Sequence, residues 1–188
     1  MLYGGRVRAY VGLAHPVIAV YEERDGVVSY KNGTRFGKAV KYEISPNYED
    51  VSDYQDINET DPAEEIRSAD ITLEISEMSE HSEGVMFGYE INADETIANQ
   101  NNRASPIGLG IVTREVIAGA TSYVAYWIHK VLFREEGQTH ETKGDAITYI
   151  TPSVKGTATP DYNGNWRTKK RFTSKAEADA WIDEKAGI

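Results

Sequence analysis

Alternation of apolar and polar residues predicts that most of this chain forms β-strands. In the stretch ADITLEIS, residues 69–76, Ile71, Leu73 and Ile75 alternate with polar residues, which is the period of two expected of a strand with one buried face. Comparable stretches rich in β-branched and aromatic residues predict further strands over 10–21, 38–45, 107–116, 122–133 and 142–154. The predicted fold class is mainly β (α+β), because helical periodicity is confined to the C-terminus and one ambiguous stretch, 77–88.

Two Asn-Gly steps predict tight turns. Asn32-Gly33 lies within residues 26–37, and Asn163-Gly164 lies within residues 161–172. This dipeptide is the strongest short-range signal for a β-hairpin, because both residues can adopt positive φ. We therefore predict one hairpin at each step.

The C-terminal segment, TSKAEADAWIDEKAGI, predicts a helix. Thr173 or Ser174 can serve as the N-cap, with Glu177 placed for a capping box. Apolar residues then recur at helical spacing, and Gly187 is placed to end the helix.

A segment of concentrated negative charge interrupts the strand pattern. Residues 46–65, PNYEDVSDYQDINETDPAEE, hold eight Asp or Glu residues and no Lys or Arg. Three interpretations are open: a solvated acidic loop, a weak Ca²⁺ site and a docking loop. The Ca²⁺ interpretation draws on Asp50, Asp53 and Asp56, but the segment lacks the glycine and the ligand spacing of an EF-hand.

We favour the docking loop. A long loop without its own secondary structure is uncommon in a compact domain and is usually functional. Aromatic residues supply contact area on a neighbour, and charges set orientation. The candidate contact residues are Tyr48, Glu49, Asp50, Asp53, Tyr54, Asp56, Ile57, Glu59 and Asp61.

Composition narrows the classes of function. The chain has 188 residues, enough for one domain with a core, a net charge of −10 at pH 7 and a pI of about 4.9. Because nucleic-acid binding needs clustered Lys and Arg, this balance argues against a protein that grips DNA or RNA. The chain has no cysteine, which excludes disulfides and thiolate chemistry. No signal segment or long apolar run is evident, so we expect a soluble protein made in the cytoplasm.

No motif predicts catalysis, a cofactor or a bound metal. Residues 33–39, GTRFGKA, resemble a phosphate-binding loop but lack its spacing and the Ser or Thr that ligates Mg²⁺. Residues 108–110, GLG, lack the third glycine of a dinucleotide site, so we interpret them as strand glycines against which something packs closely. The four histidines lack zinc-binding spacing. We therefore predict that the protein is not an enzyme.

Several segments, taken in order, resemble one family. They are GLAHPVIAVY, VSYKNGTRFGKAVKYEISPNYEDVSDYQDIN, ADITLEIS, VMFGYEI, YVAYWIHKVLF, ETKGDAITYITPSV and the closing EADAWIDEKAGI. Together they are similar to the major tail tube proteins of long, non-contractile-tailed (siphovirus-type) phages and prophages of Gram-positive bacteria. The resemblance predicts one tail tube domain over residues 10–188, containing the long loop 46–65, and an N-terminal extension or arm over residues 1–9.

The resemblance implies a β-sandwich-like or partial-barrel domain with a flanking helix and a C-terminal helix. It implies that copies form hexameric rings, whose inner strands join into one barrel, and that rings stack into a tube through which DNA leaves the capsid. Partners would be further copies of the chain and other tail proteins, such as the tape measure and terminator proteins, with no membrane. The protein would be made in the bacterial host cytoplasm and reside in the virion tail.

The charge of the chain suits a conduit for DNA. An acidic bore would repel phosphates over about one Debye length, roughly 8 Å at physiological salt, so that DNA passes without specific binding. The one strong basic run, RTKKR, would then face the outside or an acidic neighbour. We hypothesise that Arg167, Lys169, Lys170 and Arg171 pair with the 46–65 loop of another copy.

Alternative functions stay open. The chain could be another virion component, such as a tail terminator or head decoration protein, or it could be a Ca²⁺-dependent binding module. The order of the matching segments favours the tail tube protein over these alternatives.

Overall fold

The computed structural model describes residues 8–13, 16–37, 39–50, 64–75, 77–92, 95–117, 119–135 and 153–188. The protein is mainly β, as predicted, with a helix at the C-terminus. The strands are β1 (Arg8–Leu13), β2 (Val17–Arg24), β3 (Val27–Arg35), β4 (Ala39–Asp50), β5 (Glu64–Ile75), β6 (Glu90–Asn92), β7 (Glu95–Ile97), β8 (Ile107–Ile117), β9 (Ala120–Glu135), β10 (Ser153–Ala158) and β11 (Arg167–Phe172), and the helices are α1 (Glu80–Phe87) and α2 (Lys175–Ala186). All of these strands except β6 and β7 belong to one antiparallel sheet.

The sheet is built around the long hairpin of β8 and β9, whose register begins with Ile117 opposite Ala120. β1 and β2 pair one after the other along the outer side of β8, and β10 and β11 do the same along β9. β3 extends the sheet beyond β2, while β5 and then β4 extend it beyond β10. The single strand predicted over 10–21 is thus two strands, with Pro16, which has no N–H to donate, between them.

The sheet curls so that the strands on the two sides of the β8–β9 hairpin share one hydrophobic core. Ile18 of β2 and Leu73 of β5 come from opposite sides of the hairpin, yet both are fully buried in the same cluster, together with Met86 of α1. β4, at one end of the sheet, also approaches β1, which pairs with β8, so the sheet curves back towards itself. The alternation that predicts β5 is confirmed, since Ile71 and Ile75 are buried in this core beside Leu73.

A second core lies on the opposite face of the sheet, beneath α2. Ile182 packs there with Val112 and the fully buried Trp127. A side chain at Gly110 would collide with Ile182, and one at Gly108 would collide with Trp127. This confirms the interpretation of GLG as strand glycines beneath a closely packed neighbour.

The caps of α2 are those that the sequence predicts. Ser174 is the N-cap, and its hydroxyl oxygen accepts a hydrogen bond from the backbone N–H of Glu177. The Glu177 carboxylate in turn accepts one from the Thr173 hydroxyl. Gly187 ends the helix in the left-handed region, at φ 72°.

The ambiguous stretch 77–88 contains the short helix α1. The Ser79 hydroxyl accepts a hydrogen bond from the backbone N–H of Ser82 at its start, and Gly88 ends the helix at φ 75°. Phe87 and Met86 anchor α1 in the core of the curled sheet.

The hairpin predicted at Asn32-Gly33 is wrong. β3 runs through these residues, and the turn between β2 and β3 is formed instead by Asp25-Gly26, both at positive φ. At Asn32 the backbone also adopts positive φ, and the register between β2 and β3 shifts there, which marks a β-bulge. The bulge brings Gly33 so close to the end of α2 that a side chain would collide with the carbonyl oxygen of Ala186.

The hairpin predicted over 161–172 is also wrong. The chain turns at Asn163-Gly164, with Gly164 at φ 78°, but the flanking strands β10 and β11 both pair with β9 rather than with each other. The turn therefore belongs to a loop inserted between two strands that follow one another along β9.

Two predicted boundaries differ from those in the structure. Residues 46–50 continue β4 and residues 64–65 begin β5, so the predicted acidic loop is shorter than 46–65. Pro46 is tolerated within β4 because β4 is an edge strand. Arg8 and Ala9, predicted to belong to an extension, pair with β8 as part of β1.

Parts of several predicted segments lie outside the described residues. The longest are residues 1–7 of the predicted extension, residues 51–63 of the predicted loop and residues 142–152 of the predicted strand 142–154.

Candidate assembly surface

Four strands of the main sheet carry unpaired backbone within the described residues. They are β1, β3, β4 and β11, each of which pairs with a neighbouring strand along one side only. Such an edge presents free N–H and C=O groups to any strand that can approach it, and natural proteins either block these groups or use them. These edges are the candidate sites of contact with another chain.

β11 is the most basic of these edges, since its sequence is RTKKRF. The Arg167 guanidinium lies 4.4 Å from the ring centroid of Trp166 and 5.8 Å from that of Tyr126. The Lys169 ammonium lies 5.4 Å from the same Tyr126 ring. These aromatic contacts hold the two cations on one face of β11 while both residues stay exposed.

The other two cations of β11 have different surroundings. Lys170 lies on the opposite face, with its ammonium 5.1 Å from the ring centroid of Phe172. Arg171 reaches across β9 to Glu115 of β8, with 2.5 Å between its Nη2 and the carboxylate Oε2. The Glu115 side chain is fully buried, and a buried carboxylate is costly unless it is paired. We therefore infer that Arg171 stabilises the fold of its own chain. The hypothesised contact with another copy then involves Arg167, Lys169 and Lys170.

The acidic residues lie at the far end of the β4–β5 ribbon. We call residues 46–50 of β4 and 64–68 of β5 the acidic arm. Pairing between β5 and β10 ends at Ala69, so within the described residues the arm is a two-stranded ribbon that continues beyond the rest of the sheet. Tyr48 is 57% exposed on this ribbon.

Acidic residues lie opposite acidic residues across the arm. Glu49 is directly opposite Glu65, and the next pair of the register places Asp50 opposite Glu64. Like charges in directly opposed positions destabilise a sheet. Arg67 offsets part of the repulsion, with its Nε 2.8 Å from Glu49 Oε2. The arm still has four acidic residues and one basic residue, so it keeps an excess of negative charge.

The structure places the predicted contact residues in two groups. Tyr48, Glu49 and Asp50 lie in β4 as part of the acidic arm. Residues Asp53, Tyr54, Asp56, Ile57, Glu59 and Asp61 lie outside the described residues.

Sequence analysis misses a buried polar network behind β11. His129 Nδ1 lies 2.9 Å from Asp161 Oδ2, and His129 Nε2 lies 2.7 Å from Thr168 Oγ1. The other Asp161 oxygen accepts hydrogen bonds from the backbone N–H groups of Asn163 and Asn165. Since a carboxylate only accepts, a neutral His129 donates from Nδ1 and accepts from the Thr168 hydroxyl at Nε2.

This network fastens the 159–166 loop and β11 to β9. Its hydroxyl–imidazole–carboxylate order is that of a nucleophilic triad, but here each hydrogen bond fixes a loop or strand residue in place. Tyr30 completes it by donating its hydroxyl hydrogen to the His129 carbonyl oxygen at 2.9 Å. The segment DYNGN, residues 161–165, does carry a signal for part of this network. An Asp side chain in a turn commonly accepts a hydrogen bond from the backbone N–H two residues further along the chain.

The electrostatics of the network favour neutral histidine. Burial lowers the pKa of His129, and Lys185 lowers it further, while Asp161 raises it. Burial also raises the pKa of Tyr30, so its hydroxyl stays protonated and remains a donor.

A small cavity lies between α2 and the strands beneath it. Its volume is about 70 Å³, well below the roughly 300 Å³ at which ligand pockets begin. Ion pairs between Arg35 and Asp183 and between Lys175 and Asp179 line its rim. The cavity has room for water rather than for a cofactor. Among the described residues, no group of three or more His, Asp or Glu residues is placed to hold a metal ion.

Neither a protein-family model nor a curated protein matches this chain. Within the described ranges, neither helix has the length and apolar character needed to span a bilayer. Function is therefore inferred from the sheet edges and their charges.

Proposed function

We propose that this protein is a structural subunit that assembles with copies of itself into hexameric rings, which stack into the tail tube of a siphovirus-type phage or prophage. The observation that carries the proposal is the antiparallel sheet whose edge strands β3, β4 and β11 are paired along one side only within the described residues. Free edges are a hazard for a protein that stays alone, and pairing between copies removes it.

The charges of the edges support a ring. β11 is basic and the acidic arm is negatively charged, so the two surfaces differ. Contact between two different surfaces is heterologous, and repeated heterologous contacts generate closed rings or open filaments. A tube of stacked rings uses both outcomes.

The fold supports the finer assignment that the resemblance implies. The curled sheet has α2 packed on its outer face and α1 closing its inner core. This curled, helix-flanked sheet, in which β4 approaches β1, supports the proposal of a tail tube domain.

The net charge of −10 supports a role as a conduit for DNA. A surface with excess carboxylates repels phosphates within a Debye length and lacks the clustered cations that would hold them. DNA would then be guided by exclusion rather than by binding.

The decisive experiment follows the purified protein over a wide concentration range by sedimentation velocity and negative-stain electron microscopy. We expect rings at moderate concentration and tubes at high concentration. A compact monomer at every concentration would contradict self-assembly, and isolated rings that never stack would favour a terminator protein. Calorimetric titration with Ca²⁺, against a control in EDTA, tests the Ca²⁺-dependent module; we expect no binding heat.

A further inference from the structure

We propose that the free edge of β11 receives the acidic arm of a second copy of this chain, and that this contact joins neighbouring copies. The inference rests on the proposed function, because it names the two surfaces through which self-assembly proceeds. Within the ranges that the structure describes, β11 pairs only with β9, and the arm strand of β4 pairs only with β5.

The edge of the arm is short enough to lie along β11. β11 has six residues, or about 20 Å of extended chain. The outer edge of the arm beyond Pro46 runs from Asn47 to Asp50, and none of its residues lacks a backbone N–H. Addition of one strand to the edge of another supplies backbone hydrogen bonds, and alternate side chains then set specificity.

The charges of the two edges are complementary. β11 presents Arg167 and Lys169 on one face and Lys170 on the other. Across the arm, Glu49 lies opposite Glu65, and the next register pair is also acidic. Docking therefore places cations beside acids and relieves a repulsion that a single copy retains.

The same charges exclude the wrong pairings. Two β11 edges would bring cations together, and two arms would bring carboxylates together, which disfavours symmetric dimers. Of these three pairings, only that of the arm with β11 is complementary, and it is heterologous, so it propagates from copy to copy. Arg171 takes no part, because it is held by Glu115 of its own chain.

A charge-swap experiment tests the contact. The first variant is Arg167→Glu with Lys169→Glu, and the second is Glu49→Lys with Glu65→Lys. Each variant alone brings like charges together at the substituted positions, so we expect its critical concentration for assembly to rise at least about tenfold. An equimolar mixture should assemble again, because each variant's arm complements the other variant's β11.

A matched control carries the same change of charge elsewhere. Arg24→Glu with Arg114→Glu alters two exposed arginines outside β11 and the arm, and it should assemble like the unmodified protein. Circular dichroism and urea unfolding confirm that each variant is folded before assembly is measured.

The outcomes separate this contact from the proposed function. If the unmodified protein forms rings and tubes but the swapped variants assemble equally well alone, or if their mixture fails to recover, the arm–β11 contact is wrong while self-assembly stands. If the unmodified protein never assembles, both proposals are overturned.

Discussion

His129 shows how single residues hold the edge strand that the proposed assembly uses. Its ring nitrogens join Asp161 of the loop to Thr168 of β11, and its side chain is only 12% exposed. A neutral imidazole satisfies both neighbours, whereas an imidazolium donates from both nitrogens, so that Thr168 Oγ1 must accept and its hydroxyl hydrogen needs another acceptor. The position of β11 on β9 is thus sensitive to one protonation step.

We expect the free energy of unfolding to fall as pH is lowered from about 7.5 to about 5.5. The folded-state pKa of His129 is held below its usual value, chiefly by burial and also by Lys185, in spite of Asp161. Stability from the neutral ring is therefore complete above the unfolded pKa of about 6.5 and is lost as pH falls toward the folded pKa. The loss should be modest, because the attraction of Asp161 for the imidazolium offsets part of the effect of burial. Urea unfolding at several pH values measures it.

The variant His129→Gln isolates this contribution. Glutamine can still donate to Asp161 and accept from Thr168, but it does not titrate, so the dependence on pH should become shallower. His81→Gln is the control, since His81 is exposed on α1, and it should keep the original slope. An unchanged slope in His129→Gln would show that another group is responsible.

At the scale of elements, the contact between β3 and the end of α2 depends on a missing side chain. The bulge at Asn32 brings Gly33 against the backbone of Ala186, and a Cβ there would lie 2.4 Å from the Ala186 carbonyl oxygen. Backbone cannot swing aside as a flexible side chain can. The bulge and the docked helix therefore require glycine at this position.

Gly33→Ala should destabilise the protein by about 1–3 kcal/mol, because α2 or β3 must shift to relieve the overlap. Urea unfolding followed by tryptophan fluorescence measures the change, since Trp127 lies beneath the helix. Ser29→Ala, at an exposed position of the same strand, is the control and should stay within about 0.5 kcal/mol of the unmodified protein. Equal unfolding midpoints for Gly33→Ala and Ser29→Ala would show that the contact is dispensable.

Elements whose signals are local can be predicted from the sequence. β5 is evident from alternation, and α2 from its cap residues, because both signals come from neighbours along the chain. The positions of the turns could not be predicted, because they depend on pairing between distant parts of the chain. Asp25-Gly26 and Asn32-Gly33 have the same local chemistry, and only the register with β2 decides that the first is a turn and the second a bulge.

The candidate site divides in the same way. The basic run of β11 and the acidic residues near Tyr48 are visible in the sequence as charge. Their placement on strand edges is not, because edge status depends on which strands pair across the whole sheet. The ion pair of Arg171 with Glu115 is equally invisible in the sequence, since the two residues are far apart in the chain.

At the scale of the whole molecule, net charge and local charge act in opposite directions. A charge of −10 makes every copy repel every other copy, so assembly needs strongly complementary local surfaces. The one concentrated basic surface in the sequence is β11. If a neighbour's arm covers that surface, the assembled tube has no exposed basic cluster left in that region for DNA.

We therefore expect assembled tubes not to bind duplex DNA, even at about 50 mM salt, where electrostatic binding is strongest. Fluorescence anisotropy of a labelled duplex should stay flat as tube concentration rises, because binding requires several cations that each release counterions. A basic DNA-binding protein serves as the positive control for the assay. Anisotropy that rises with the tube, falls steeply with salt and disappears in an Arg167→Ser, Lys169→Ser variant would place β11 against DNA instead of against a neighbouring copy. That result would overturn both the conduit and the docking arrangement, whereas a flat titration is what a tube that guides DNA by repulsion requires.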